Sequence, residues 1–182
     1  PAYSNAGFQL LGHALAAAAG APYAELVRTR IAEPLGLSPC HVPASAADLP
    51  ASALVGFSGR RRMDPWLGAA IGPAGGIRAS VEALAVLARS LLDGTAPGVA
   101  ALDPVMDFAG PAVRIGAGWL TTDRRDRGVL TWHNGGTGGF RSWLGLRRDL
   151  GVAVVVLGAS SRSVDALGLT LLDGLATLPT DA

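Results

Sequence analysis

Trp132-His133-Asn134-Gly135-Gly136-Thr137-Gly138-Gly139-Phe140 sets a titratable ring beside four glycines that surround one threonine. Glycine lets a backbone turn tightly and come close to a ligand. N–H groups exposed on such a backbone can donate to a developing oxyanion, and a histidine beside them can move a proton near neutral pH. The nine residues read as one wall of an active site. They read equally well as a glycine-rich loop joining two strands.

Their surroundings are strand-like. Val129 to His133 and Phe140 to Leu146 are apolar-rich runs on either side, and Arg147-Arg148-Asp149-Leu150-Gly151 links the second run to a buried strand at Val152 to Leu157. Upstream, Val113, Ile115, Ala117 and Trp119 alternate with Arg114, Gly116 and Gly118, the period of two that marks a half-buried strand, and a polar turn follows at Asp123 to Arg127. The links are short. Short links predict antiparallel pairing, because parallel neighbours need long crossovers. Ser163 caps a terminal helix whose stripe of Val164, Leu167, Leu171, Leu172 and Leu175 would cover one face of the sheet.

The first half reads differently. Tyr3-Ser4-Asn5 precedes a helical pattern of Phe8, Leu11 and Leu15, and either Ser4 or Asn5 serves as its cap. A second helix runs from Tyr23 to Glu33 and is closed by Pro34 and Gly36; a third starts at Ser80, after Gly72-Pro73-Ala74-Gly75-Gly76, and ends before Gly94. Between them, residues 38–73 are loop-like. The Arg60-Arg61-Arg62 cluster there reads as a solvated surface in preference to a phosphate site, since no aromatic or glycine nest accompanies it in sequence. Helices, then an antiparallel sheet, then a closing helix make an α+β pattern. It divides into mainly helical and loop residues 1–111, antiparallel strands over 112–160 and a C-terminal helix over 163–178, all within one domain.

Composition narrows the chemistry. The 182 residues are 49% hydrophobic and 16% charged, a globular balance, and 15 basic against 14 acidic residues leave a formal charge of +1. No overall field favours nucleic acid or an anionic membrane. All 15 basic residues are arginine, so the lysine that a P-loop requires is absent. His13, His41 and His133 are too scattered for a metal site, and the single Cys40 excludes an intrachain disulfide. No apolar run, Val152 to Leu157 included, is long enough to span a bilayer. Gly56-Phe57-Ser58-Gly59-Arg60 fails the nucleophile-elbow pattern at its last position and follows no strand. A self-contained Ser/His/Asp hydrolase, pairing His133 with Ser58 or Ser160 and with Asp149, has no recognisable local context. The compartment stays open.

The two ends of the chain together resemble the serine β-lactamase and penicillin-binding-protein-like hydrolases, and within them class C β-lactamases, family VIII esterases and D-aminopeptidases. Tyr3-Ser4-Asn5 matches the family's Tyr-x-Asn motif. His133-Asn134-Gly135 matches the His-x-Gly variant of Lys-Thr-Gly, followed by Thr137-Gly138-Gly139-Phe140 as in class C enzymes. The likeness runs from Tyr3 to about Leu172. It implies a β-lactamase/transpeptidase-like fold with no metal and no cofactor. It implies too that Tyr3 assists deprotonation of a serine, Asn5 orients the acyl-side amide or carbonyl, His133 stands where the third-motif lysine stands, Asn134 and Gly135 border the substrate, and Gly136 supplies one oxyanion N–H.

The family's first motif, Ser-x-x-Lys, needs a lysine that this chain lacks, and in the family it precedes Tyr-x-Asn. The expectation is therefore that nucleophile and first sheet strands lie upstream, and that the chain alone is inactive. The start at Pro1, without methionine and close to a helix, fits that. The strands so left open would be covered by the missing half, by a second copy or by aggregation. Histidine in place of a permanent cation favours esters, small amides or peptides over efficient penicillin hydrolysis. A different class of function is a penicillin-binding-protein-like module for ligand or protein recognition that keeps the pocket without chemistry.

Overall fold

The computed structural model describes residues 2–177. Residue 1 and residue 178, the last of the C-terminal helix expected from sequence, lie outside the described residues. Helix α1 (Asn5–Ala19) is followed by α2 (Tyr23–Val27), which runs through a wider π turn at Arg28–Ala32 into α3 (Glu33–Leu35). Two short ribbons come next: β1 (Cys40–His41) pairs with β4 (Arg78–Ala79), and between them β2 (Phe57–Ser58) pairs with β3 (Arg61–Arg62). Helix α4 (Val81–Leu92) leads to strands β5 (Met106–Asp107), β6 (Val113–Ile115), β7 (Leu120–Asp123), β8 (Val129–Thr137), β9 (Phe140–Arg147) and β10 (Val152–Gly158), and α5 (Asp165–Leu175) closes the described chain. The six strands form one antiparallel sheet in the order β10-β9-β8-β7-β6-β5.

Local chemistry sets the boundaries. Ser4 caps α1, its Oγ accepting from the Gly7 N–H at 3.0 Å, and Gly20 ends the helix in the left-handed region at φ 63°. Ser80 does the same for α4 through the Ala83 N–H at 3.2 Å. Ser163 accepts from the Asp165 N–H at 3.2 Å, one residue outside the position that caps α5.

Alternation along the strands builds two cores on opposite faces of the sheet. Leu144 and Leu146 of β9 with Ala153 and Val155 of β10 meet Ala88 and Leu91 of α4. Leu130, Trp143 and Val154 meet Leu172 of α5 on the other face. Trp143 is 1% exposed, and a Cβ added at Gly168 would overlap its ring, so glycine is what lets α5 lie on the indole. A bidentate pair, Arg124 to Asp173 at 2.7 Å, ties the β7–β8 connection to α5 and holds the Asp173 carboxyl below its usual range.

Two strand boundaries differ from the sequence reading. The alternation from Val113 to Trp119 is not one strand: β6 ends at Ile115, the chain bends through Gly116–Gly118, and β7 returns alongside. A Cβ on Gly116 would lie 2.6 Å from the Ala101 carbonyl, so this stretch packs against backbone where a pleated strand would not fit. The second difference is at the glycine-rich stretch itself. His133 to Thr137 is strand, and the tight turn is confined to Gly138 and Gly139 at φ 49° and 77°. Positive φ at both central residues is the turn that matches the twist of a two-residue hairpin.

Among the described residues no single helix is long and apolar enough to cross a membrane; α1 with the Tyr23–Leu35 segment reaches that length and composition only as a pair bent by 81°.

Candidate active site

The site begins with a mismatch of strand lengths. β7 pairs with β8 only from Asp123↔Val129 to Leu120↔Trp132, while β9 pairs with β8 up to Thr137↔Phe140. Residues 133–137 are therefore bonded on one side and open on the other. The two-residue turn makes Thr137 and Phe140 a hydrogen-bonded pair, so bonding alternates back along the strand and Asn134 and Gly136 present their N–H groups to the open edge.

Helix α1 stands over that edge. Gly118, at φ 89°, brings the chain within 3.7 Å of the Phe8 ring, as measured from an added Cβ. Phe8 in turn packs on Tyr3, with ring centroids 6.0 Å apart, and Tyr3 lies 6.4 Å from the His133 ring. The Tyr3 hydroxyl donates to Asn5 Oδ1 at 2.9 Å. Ser4 takes the capping role, which leaves Asn5, at the first turn, free to engage the phenol.

Side-chain alternation divides the remaining residues. His133, Gly135 and Thr137 face the α1 and α4 side; Asn134 and Gly136 face the α5 side. The Asn134 amide donates to Asp165 Oδ2 at 3.0 Å at the entrance of α5, so its side chain leaves the Tyr3–His133 face, and only its backbone borders the open edge. His133 is half-buried. Burial pushes its pKa below the ordinary 6.5, opposed by a backbone hydrogen bond at Asn134, which favours a neutral ring at pH 7.

Beyond Gly136 the hairpin tip borders a cavity of about 410 Å³ whose lining includes Arg61, Arg62, Asp64, Trp66 and Arg141. Arg141 is opposite Gly136 in register and lays its guanidinium over the bare glycine Cα, while its Nε donates to the Ser161 carbonyl at 3.0 Å. The arginine cluster that the sequence reading left on a solvated surface thus gains aromatic and glycine neighbours from far along the chain. Phe57 N–H donates to the Gly139 carbonyl at 3.2 Å and docks the β2–β3 ribbon on the hairpin tip. Sequence distance hid that contact. A two-residue hairpin placed at Gly138-Gly139 would have found Arg141.

The serines weighed as internal nucleophiles are engaged elsewhere. Ser58 Oγ accepts from Ser161 Oγ at 3.3 Å, Ser160 Oγ accepts from the Arg162 N–H at 3.3 Å, and Asp149 is paired with Arg147 at 2.8 and 3.0 Å. Among the described residues no three His, Cys, Asp or Glu side chains converge as a metal site.

The beta-lactamase family model matches residues 1–177. The chain belongs to the beta-lactamase family. A class C beta-lactamase superposes with a TM-score of 0.82 at 15% identity, over 99% of this chain and 58% of its own. The octameric penicillin-binding protein homologue from Pyrococcus abyssi gives 0.82 at 20% identity, over 96% and 42%. A beta-lactamase/D-alanine carboxypeptidase from Yersinia pestis, complexed with citrate, gives 0.73 at 24%, over 96% and 55%. No curated protein matches the chain. At these identities the structural likeness concerns the fold: β-lactamase/transpeptidase-like, an antiparallel sheet with helices, as the motifs implied. The chain spans 42–58% of the length of these three structures.

Proposed function

We propose that this chain supplies the proton-handling and oxyanion walls of a serine hydrolase that works through an acyl-serine intermediate on esters, small amides or peptides, or β-lactams. The serine and lysine of the first motif would be carried by a segment outside residues 1–182. The observation that carries this reading is the convergence of Tyr3 and His133, 6.4 Å apart, on the one open stretch of β8 that also exposes the Gly136 N–H.

The chemistry follows from those positions. A serine brought against the open edge would lose its proton to Tyr3, whose phenolate is sustained by the ammonium of the accompanying lysine. The serine oxygen bonds to the carbonyl carbon, and the carbonyl oxygen takes the negative charge between the Gly136 N–H and the serine's own N–H. One such donor stabilises the transition state by about 2.7–4 kcal/mol. Collapse expels the leaving group, which takes the proton back from Tyr3; water then repeats the sequence on the acyl-enzyme. Asn5, bonded to the phenol, orients the acyl side. His133, kept neutral by burial, offers hydrogen bonds and no fixed charge, which favours esters and small amides over substrates that need a permanent cation beside the scissile bond.

Intact-mass measurement after fluorophosphonate treatment tests the assignment. The 182-residue chain gains no adduct, and the longer protein gains one on a Ser-x-x-Lys serine. A stoichiometric adduct on a serine within 1–182 overturns it. Cephalosporin turnover faster than that of short-chain esters by the longer protein would sink the substrate preference.

A further inference from the structure

The cavity beyond Gly136 is charged on one side of the balance. Of the side chains that line it, Arg61, Arg62 and Arg141 are cationic and Asp64 alone is anionic. None of the three arginines has a carboxylate within ion-pair distance among the described residues, where the pairs instead use Arg28, Arg124, Arg127, Arg147 and Arg148. Single exposed arginines are ordinary. Three lining one concave cavity, with Trp66 and Phe140 beside them, present an anion site with a hydrophobic approach. The Phe140 ring also carries Arg78, whose guanidinium stands over it 5.1 Å from the ring centroid.

Its place along the strand says which part of a substrate would reach it. The leaving group must be protonated, so it lies toward Tyr3 and His133, on the α1 side of the open edge. The other arm of a carbonyl held at Gly136 runs down the strand toward the hairpin tip, where Arg141 crosses over the glycine. That arm is the acyl group.

We infer that the Arg61, Arg62 and Arg141 cavity is an acyl-group subsite that selects substrates whose acyl chain ends in a carboxylate, such as half-esters of dicarboxylic acids and acyl groups with an acidic side chain. The inference rests on the hydrolase reading above. The carboxylate takes paired N–H bonds from Arg141 and one of the ribbon arginines, and the methylene stem lies along Trp66.

The experiment uses the full-length natural protein with two esters of equal acyl length, p-nitrophenyl hemiglutarate and p-nitrophenyl valerate, and with glutarate itself as a binding probe followed by calorimetry. The hemiglutarate is the better substrate by kcat/KM. Arg141→Gln and Arg61→Gln each lower the hemiglutarate-to-valerate ratio of kcat/KM about tenfold, the scale of one charge-assisted hydrogen bond, and Arg141→Lys restores part of it. Valerate turnover with no preference for the hemiglutarate, and a ratio unmoved by either substitution, overturns the subsite while leaving the hydrolase intact. If neither ester is turned over, glutarate binding decides: affinity reduced about tenfold in both glutamine variants upholds an anion subsite without the hydrolase, and no binding overturns it.

Discussion

The two walls that meet at the open edge of β8 are built to different standards. On the hairpin side, β9, β10 and α5 enclose Trp143 at 1% exposure and Leu172 at 0%. On the α1 side, Leu10 is 73% exposed, Leu11 and Leu15 are each 52% exposed, and Tyr3 is 54% exposed. One wall owes its shape to packing within this chain, although of the stripe expected to cover the sheet only Leu172 is fully buried, and Leu167, Leu171 and Leu175 are 52%, 46% and 40% exposed. The other carries the proposed proton-transfer residue on a helix whose outer apolar stripe, Leu10, Leu11 and Leu15, is exposed among the described residues, a surface that the proposed upstream segment would cover. On the proposed function stability and chemistry are separated: the packed wall holds the strand, and the bare wall holds the phenol.

That separation can be tested by substitutions that should affect one wall only. Tyr3→Phe in the longer protein should lower kcat/KM by ~10²–10⁴, the range of a lost general acid–base group, with a urea midpoint unchanged to within ~0.5 kcal/mol. A comparable loss of stability would mean that α1 is structural at Tyr3 and the contrast is false. Trp143→Ala should do the reverse in either chain, costing ~3–5 kcal/mol in equilibrium unfolding, because the indole fills the α5 interface and no neighbour can close the space. Leu10→Gln should be neutral to within ~0.5 kcal/mol in the 182-residue chain and cost ~1–3 kcal/mol in the longer protein if a further segment covers α1. Equal effects in the two would remove the argument for a partner segment.

The smallest effect concerns pH. Burial holds the His133 pKa below 6.5, so the unfolded chain takes up a proton there before the folded one does. Stability then falls as pH drops through 6.5 and the loss stops growing once the folded-state pKa is passed; His133→Asn should flatten that slope in chemical denaturation between pH 7.5 and 5. A slope unaltered by the substitution would place the imidazole in a wetter setting than the structure gives it.

The architecture was legible because strand and helix periods declare themselves locally. Val129 to Leu157 alternates or runs apolar, and Ser4, Ser80 and Ser163 announce helix starts. Two kinds of information were not local. Gly116 to Gly118 reads as strand by alternation, yet Ala101 and Phe8 lie against it, contacts from distant parts of the sequence. The glycines of 135 and 136 read as a turn, while the hairpin needs only Gly138 and Gly139; the first pair is kept small by Ser142 and Arg141 on the neighbouring strand. The Tyr3–His133 meeting could be expected from the motifs alone. The arginine cavity depends on a ribbon that precedes the hairpin tip by more than 70 residues, Arg62 against Gly138, and was invisible to any reading by neighbours.

The unequal lengths of β7 and β9 should also leave a signature in time. Along one strand, the amides of His133, Gly135 and Thr137 are tied to β9, whereas those of Asn134 and Gly136 face outward. Deuterium uptake should therefore alternate residue by residue, slow then fast, over five positions, before any substrate is present. A segment that closes over the edge would erase the alternation at its outward amides, so the exchange pattern of these five positions reports directly on whether the groove is open or filled.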